Sequence, residues 1–285
     1  MIRDITFGQY YNVKSSIHDL DPRTKLNATI LYLISIFFCD SYLSYFLAFL
    51  FLILSIKLSN VPFRFVFKGI KSLMLLLFLS VFFNLFLTEG KTLVSFYNVN
   101  ITYEGLNLAI KMAFRLCFLI LFSSLLSLTT TPKKLTDGME EQFKFLNIIK
   151  VPVADIALMM SISLRFVPIL VEEVDKIMKA QTSRGARFDD KNIVKRVKSY
   201  VPLLVPIFVS AFRRANDLSL AMEARCYNDS DNRTKLNPLK YGINDMICYI
   251  ILIFYVIIII VIKNIVKVWF YQFYKDCKWL MIINR

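Results

Sequence analysis

The sequence predicts an all-α integral membrane protein with about five transmembrane helices plus long, kinked cytoplasmic helices. Three observations predict it. Of the 285 residues, 56% are hydrophobic, with 26 Phe, 14 Tyr and a mean hydropathy of +0.55; a soluble domain averages about 45–50% apolar residues. The excess is gathered into long uncharged runs rather than spread through the chain. The charge is +14, from 35 Lys and Arg against 21 Asp and Glu, and it lies mostly between those runs. Together these exclude a disordered chain, a disulfide scaffold and an ordinary soluble domain.

Basic excess can serve nucleic acid, an anionic membrane surface or an acidic partner. In a chain this apolar, the cytoplasmic loops of a membrane protein account for it, because such loops collect Lys and Arg; no nucleic-acid partner is expected. The five cysteines, Cys39, Cys117, Cys226, Cys248 and Cys277, form no C-x-x-C pair and suggest neither a disulfide framework nor a zinc site. The first 25 residues lack the short apolar run of a signal peptide, so an internal span is expected to direct insertion.

The spans follow in order. Leu26–Cys39 and Ser41–Ile56 are uncharged over 14 and 16 residues and are separated by Asp40 alone. One long helix through both would leave Asp40 in lipid at a cost of a few kcal/mol, so a tight helical hairpin with its tip near Asp40 is expected. Ser72–Thr88, Leu116–Pro132 and Met246–Ile262 are uncharged over 17 residues each; a span needs about 20 predominantly apolar residues, which the first two reach by borrowing turns from their flanks. Arg3, Lys14, Arg23 and Lys25 before the hairpin, and Lys57, Arg64, Lys68 and Lys71 after it, put both segments in the cytoplasm. Glu89–Glu104, with Lys91 alone, is expected outside. Five spans then leave the basic tail Lys263, Lys267, Lys275, Lys278 and Arg285 outside as well. Either the span count is off, or Trp269–Tyr274 turns the chain back into the interface.

The organisation expected is a transmembrane region over 1–131, a cytoplasmic region over 132–245, and a final span with its basic tail over 246–285. The middle region holds 19 of the 35 Lys and Arg and 14 of the 21 acidic residues. It is much too long for a connection, and it lacks the strands and Gly-rich turns of a separate globular domain. Two long helices are expected instead, Pro152–Ala186 and Lys191–Tyr227, with kinks at Pro168, Pro202 and Pro206. They echo each other. Val167-Pro168-Ile169-Leu170-Val171 matches Val205-Pro206-Ile207-Phe208-Val209, and each is followed by an Arg-centred motif, Ser183-Arg184-Gly185 and Ala224-Arg225-Cys226. The helical pattern stops just after each, at Asp189-Asp190 and at Asn228-Asp229-Ser230-Asp231-Asn232. An Arg in a last turn favours the helix macrodipole. Two such ends in duplicated context also suit contact with a partner.

With these residues the chain resembles the T component of energy-coupling factor (ECF) transporters, in which two Ala-Arg-Gly motifs each end a long cytoplasmic coupling helix. Gln181-Thr182-Ser183-Arg184-Gly185 and Ala221-Met222-Glu223-Ala224-Arg225-Cys226-Tyr227 stand where the family places them. Ser16-Ile17-His18-Asp19-Leu20-Asp21-Pro22-Arg23-Thr24-Lys25-Leu26 is similar to the family's segment opening the first span. Ser183 replaces the first motif's Ala and Cys226 the second motif's Gly; both keep a small side chain. The resemblance runs the length of the chain and implies a non-catalytic scaffold in the cell membrane. It would join two cytosolic ATPases to a membrane-embedded S component that binds a vitamin or a transition-metal ion. It implies that Arg184 and Arg225, each with its motif neighbours (Ser183, Gly185, Ala224 and Cys226), sit in ATPase grooves. ATP and Mg would be held by those ATPases, with no cofactor on this chain.

Other readings find less. His18 is the one histidine and is expected to be a structural hydrogen-bonder. Gly90-Lys91-Thr92 looks like the end of a phosphate loop, but that motif needs Gly at position 85, where Leu85 stands. Arg233 and Lys235 spoil the calcium-loop pattern hinted at by Asp229-Ser230-Asp231-Asn232. The sequons Asn27-Ala28-Thr29 and Asn100-Ile101-Thr102 are short enough to arise by chance. The alternative function is a membrane enzyme acting on lipid head groups, with Asp21, Arg23, Arg184 and Arg225 lining a phosphate site. A channel or carrier working alone would require ionisable residues inside the spans, which hold little beyond Ser, Thr and Asn84. Met159, Met160, Met178 and Met222 on the two long helices suit a surface that repacks against a partner, for which the S component is the preferred cover.

Overall fold

Asp21-Pro22 starts the first helix by two local effects. The Asp21 carboxylate accepts from the N–H of Arg23 at 2.9 Å, a side-chain N-cap, and Pro22 sits at the first helical position, where its missing N–H costs nothing. The resulting computed structural model describes residues 10–96, 99–186, 188, 192–227 and 238–283. Its helices are α1 (Pro22–Phe37), α2 (Tyr42–Ser59), α3 (Phe63–Ser72), α4 (Met74–Leu87), α5 (Tyr103–Thr129), α6 (Pro132–Phe143), α7 (Val153–Ser183), α8 (Ile193–Ala224) and α9 (Ile243–Ile283). A short antiparallel hairpin, β1 (Thr92–Phe96) and β2 (Val99–Thr102), joins α4 to α5, and a 3₁₀ turn, Lys144–Ile149, precedes α7. The Asp229–Asn232 segment with Arg233 and Lys235, and Asp189-Asp190, lie outside the described residues.

The expected hairpin forms: α1 and α2 break at Phe38–Ser41, with Asp40 at the tip. By length and composition α2, α5, α7 and α9 could each cross a membrane, and the bent pair α3–α4 makes a fifth. α1, at 16 residues, spans about 24 Å. α9 is one unbroken helix of 41 residues, so the chain does not turn back at Trp269–Tyr274. Helical hydrogen bonding satisfies the backbone there without a reversal, and lipid favours that solution.

Two compact units emerge, one from residues 8–142 with 239–285, the other from residues 143–238. In the first, α1, α2, α5 and α9 meet around stacked aromatics. Tyr32 is fully buried, lies 4.0 Å from the Phe122 ring and donates through its Oη to the carbonyl of Ala48. Phe51 stacks on Tyr255 at 4.4 Å. Apolar burial gives little drive between helices in lipid, so close approach and hydrogen bonds carry the association. Gly105 shows it: a Cβ there would lie 3.1 Å from the carbonyl of Asn84, so the start of α5 lies directly on the end of α4.

The segment before α1 closes the same unit. His18 Nε2 donates to the Tyr11 carbonyl at 3.0 Å, because a carbonyl can only accept. Its Nδ1, 2.7 Å from Ser15 Oγ, accepts the hydroxyl proton. Burial holds the ring below its ordinary value of 6.5, and the neighbouring Lys25 ammonium opposes its charge as well. Lys25 Nζ donates to the carbonyls of His18 at 3.0 Å and Thr129 at 3.1 Å. Tyr11 N–H reaches Leu128 O at 2.9 Å, so the unpaired last carbonyls of α5 are satisfied from this segment. Asp245 ties in α9: its Oδ2 accepts from Gly242 N–H at 2.7 Å, half of a capping box, and its Oδ1 accepts from Asp21 N–H at 2.9 Å. Arg23 pairs with Asp21 at 3.0 Å and lies 4.0 Å over the Tyr241 ring.

Gly90-Lys91 has an occupant of its own. Lys91 N–H donates to Glu104 Oε2 at 2.8 Å, so this turn wraps a carboxylate of the same chain.

Two predictions follow from these networks. Asp245→Ala leaves the N–H groups of Asp21 and Gly242 without their acceptor and should cost about 1–3 kcal/mol, read as a lowered apparent melting temperature in detergent; Asp245→Asn, which keeps an acceptor oxygen, should lose less. For His18, a lowered folded-state pKa means the fold favours the neutral ring. Its contribution is full above pH 6.5 and is lost as the pH falls towards the folded-state value. Thermal unfolding measured between pH 7 and pH 5 should therefore decline more steeply in the wild type than in His18→Gln.

Candidate functional site: two arginine-capped helix ends

α7 and α8 begin differently and end alike. α8 is opened by Asn192, whose side chain accepts from Val194 N–H at 3.1 Å; α7 has no such cap. Both run as continuous helices through their prolines, Pro168 in α7 and Pro202 and Pro206 in α8. At the C-terminus of α7 the cap residue is Arg184. Gly185 N–H returns to Thr182 O at 2.9 Å and Ala186 N–H to Gln181 O at 3.0 Å. At the end of α8 the cap is Arg225, Cys226 N–H returns to Glu223 O at 2.9 Å and Tyr227 N–H to Met222 O at 3.0 Å. These are two Schellman motifs in the same register. Each needs a left-handed residue just after the cap: Gly185 has φ +93° and Cys226 φ +55°.

Cys226 therefore takes the backbone that Gly would supply, at a steric cost of about 1–2 kcal/mol for an L-residue. Ser183, Arg184, Gly185, Ala224, Arg225 and Cys226 are all exposed, and a Cβ on Gly185 would meet nothing within 4 Å. Among the described residues neither guanidinium has an ion-pair partner. Among the described residues, each helix thus presents an exposed guanidinium at a terminus closed by its own backbone hydrogen bonds.

The two helices are joined further back. Glu173 of α7 accepts from Arg214 Nη2 at 2.7 Å and from Ser210 Oγ at 2.5 Å, both on α8. Arg184 stands eleven residues after Glu173 and Arg225 eleven residues after Arg214, about 16 Å of helix in each case. The clasp is equidistant from the two arginines along its own helices. Residue composition alone did not single out Glu173, Ser210 and Arg214; this equal spacing was the available signal.

The clasp also orients α8. Ser210 and Arg214 share one side with buried Leu203. Around the helix from them, Val194, Val197, Val201, Leu204, Phe208 and Phe212 recur every three or four residues and are all more than half exposed. One face of α8 is thus spent on α7, and the opposite face is an uncovered apolar stripe.

The family model CbiQ, cobalt transport protein, matches residues 13–236, from the opening segment through both arginine-capped ends. The chain belongs to the CbiQ family. It is 49% identical over 241 residues to the energy-coupling factor transporter transmembrane protein EcfT of Ruminiclostridium cellulolyticum, covering 85% of this chain and 90% of that protein. EcfT of Clostridium kluyveri is 44% identical over 258 residues, 89% of this chain and 96% of its own. EcfT of Acidaminococcus fermentans is 43% identical over 253 residues, 89% and 94%. A CbiQ-family chain with this set of apolar helices is a multi-pass membrane protein.

The two capping residues are expected to respond in opposite directions. Gly185→Ala forces a Cβ into a left-handed backbone and should destabilise the end of α7 by about 1 kcal/mol, whereas Cys226→Gly should stabilise the end of α8 by a similar amount. Hydrogen exchange reads this directly: the Ala186 amide should exchange faster in the first variant and the Tyr227 amide more slowly in the second.

Proposed function

We propose that this CbiQ-family chain is the transmembrane T component of an energy-coupling factor importer. It joins two cytosolic ATPases to a membrane-embedded, substrate-binding S component and couples ATP hydrolysis to uptake of a micronutrient. The observation that carries this reading is the pair of identically closed, exposed helix ends, each led by an arginine. The names of the relatives point the same way.

The mechanism is mechanical. Closure of two ATPases around nucleotide displaces whatever is anchored in them. A guanidinium is a suitable anchor, since its planar fork binds a carboxylate through two parallel hydrogen bonds. A helix closed by a Schellman motif does not fray, so a displacement at Arg184 or Arg225 passes along α7 or α8 instead of being absorbed in the last turn. The Glu173 clasp then makes the two helices respond as one. The apolar stripe on α8 suits the S component as cover, because an uncovered apolar face of this size calls for a partner or lipid. The S component selects the substrate, a vitamin or a transition-metal ion; ATP and Mg belong to the ATPases, and this chain performs no catalytic step.

Purification from mild detergent tests the reading. The wild type should bring two ATPase polypeptides with it. Arg184→Ala and Arg225→Ala should each weaken that association by about 2–5 kcal/mol, and the double variant should lose the ATPases while keeping its melting temperature. Arg→Lys should recover only part, because an ammonium cannot bind in the forked geometry. Recovery of the chain alone from wild-type cells would overturn the proposal and favour an enzyme acting on lipid head groups. A second variant separates anchoring from transmission: Glu173→Gln should keep the ATPases bound yet lower substrate uptake per ATP hydrolysed in proteoliposomes.

A further inference from the structure

The ten residues of α3 sort by chemistry around the helix. At 3.6 residues per turn, Arg64, Lys68 and Lys71 fall on one narrow stripe, and all three are exposed. The opposite side faces protein. Val66 is fully buried, and a Cβ added to Gly69 would come within 2.3 Å of Ser124 Oγ, so the backbone of α3 lies directly on α5. Between the buried side and the basic stripe stand Phe63 and Phe67, 49% and 51% exposed. On the remaining flank Phe65 packs on Tyr11, with ring centroids 5.0 Å apart. The buried side is thus spent on protein and Phe65 is partly covered by Tyr11, although it stays 43% exposed. The most open arcs are two neighbouring ones, one aromatic and one cationic.

The position of α3 in the chain explains what meets those two arcs. α3 and α4 are separated only by Leu73 and meet at a bend of 60°. α4 carries no charge and only Ser80 and Asn84 as polar residues, has no buried residue, and its 14 residues rise about 21 Å. A hydrocarbon core is about 30 Å thick, so α4 has no length to spare. Thinning of the bilayer at its end and snorkelling of Lys71 make up the shortfall, and α3, which carries the first charges, lies at the boundary. Bending off the axis of α4 brings the successive turns carrying Arg64, Lys68 and Lys71 closer to one depth than a straight continuation would. Phe63 and Phe67 then face the acyl chains, and the cations face the phosphate layer. Cytoplasmic placement of Lys57–Lys71 follows from the distribution of Lys and Arg along the chain.

We propose that α3 is an interfacial helix that holds anionic phospholipid headgroups of the cytoplasmic leaflet with Arg64, Lys68 and Lys71, while Phe63 and Phe67 anchor it in the acyl region. An acidic soluble protein would account for the cations but not for two exposed phenylalanines beside them. A basic stripe next to an aromatic edge is the composition of helices that lie in the interface. Attraction of Lys and Arg to an anionic leaflet is additive and screened by salt. This holds whether or not the chain serves as an ECF scaffold, so failure of one reading leaves the other standing.

The test is native mass spectrometry of the purified full chain equilibrated with equal amounts of phosphatidylglycerol and phosphatidylcholine. The wild type should retain phosphatidylglycerol preferentially at low salt. Arg64→Gln/Lys68→Gln/Lys71→Gln should reduce that preference by on the order of 100-fold, about fivefold for each charge. Lys176→Gln/Lys179→Gln/Lys240→Gln, which removes the same charge elsewhere, should leave it within a few-fold of the wild type. A depth measurement covers the case in which the α3 variant does not fold. With a fluorophore on Phe67→Cys in vesicles, quenching should be stronger by a nitroxide on the acyl chain than by a water-soluble quencher. An unchanged lipid preference in the folded α3 variant, or stronger quenching from the aqueous side at position 67, would overturn the proposal.

Discussion

Helix ends are where this fold is decided. A helix leaves about four N–H groups and four C=O groups unpaired at its termini, and in or near hydrocarbon no water satisfies them. The first compact unit solves this by making one stretch of chain serve several termini. Asp21 caps α1, its own N–H is taken by Asp245 beside the start of α9, and Lys25 and Tyr11 reach the last carbonyls of α5. Three helices distant in sequence are thereby fixed to one another by polar contacts at their ends. The aromatic stack around Tyr32 fills the space between them.

The same constraint is met differently where partners are expected. α7 and α8 close their C-termini on themselves, through left-handed residues and backbone hydrogen bonds, and so free the Arg184 and Arg225 side chains from capping duty. A terminus that satisfies itself needs no tertiary neighbour and stays exposed without fraying. With the Glu173 clasp set back by the same helix length from both arginines, the pair has the form of two stiff levers sharing a pivot. The lever reading rests on that symmetry together with the family of the chain.

Much of this was legible in the sequence because its signals are local. The uncharged runs placed the hairpin and the apolar stretches of α4, α5 and α9, although α1 is short for a span and α7, expected in the cytoplasm, is long and apolar enough to cross a membrane. The α7 and α8 boundaries expected from the pattern lie within three residues of those observed. Asp21-Pro22 at a helix start and the two Arg motifs at helix ends are short-range features of the same kind. Pairings across the chain were not legible. Nothing local marks Asp245 as the acceptor for Asp21, 224 residues away, or selects Glu173 from the neighbouring Glu172 and Asp175 as the partner of Arg214. The length of α9 was obscured by its aromatic, basic second half, which reads as a boundary although the backbone continues as helix. Cys226 in a left-handed conformation was hidden for another reason: residue type states only a preference there, and the Schellman hydrogen bonds override it.

The central claim is that the ends of α7 and α8 touch the ATPases, and Cys226 allows that contact to be recorded in place. It is an exposed thiol at one of the two ends, whereas Cys39 is buried and Cys117 and Cys248 are partly so. With Cys277→Ser in the background, a short thiol-directed photo-crosslinker on Cys226, activated in membranes, should yield an adduct with an ATPase subunit, identified by peptide mass spectrometry. Adducts with lipid or with another membrane protein, and none with an ATPase, would contradict the account.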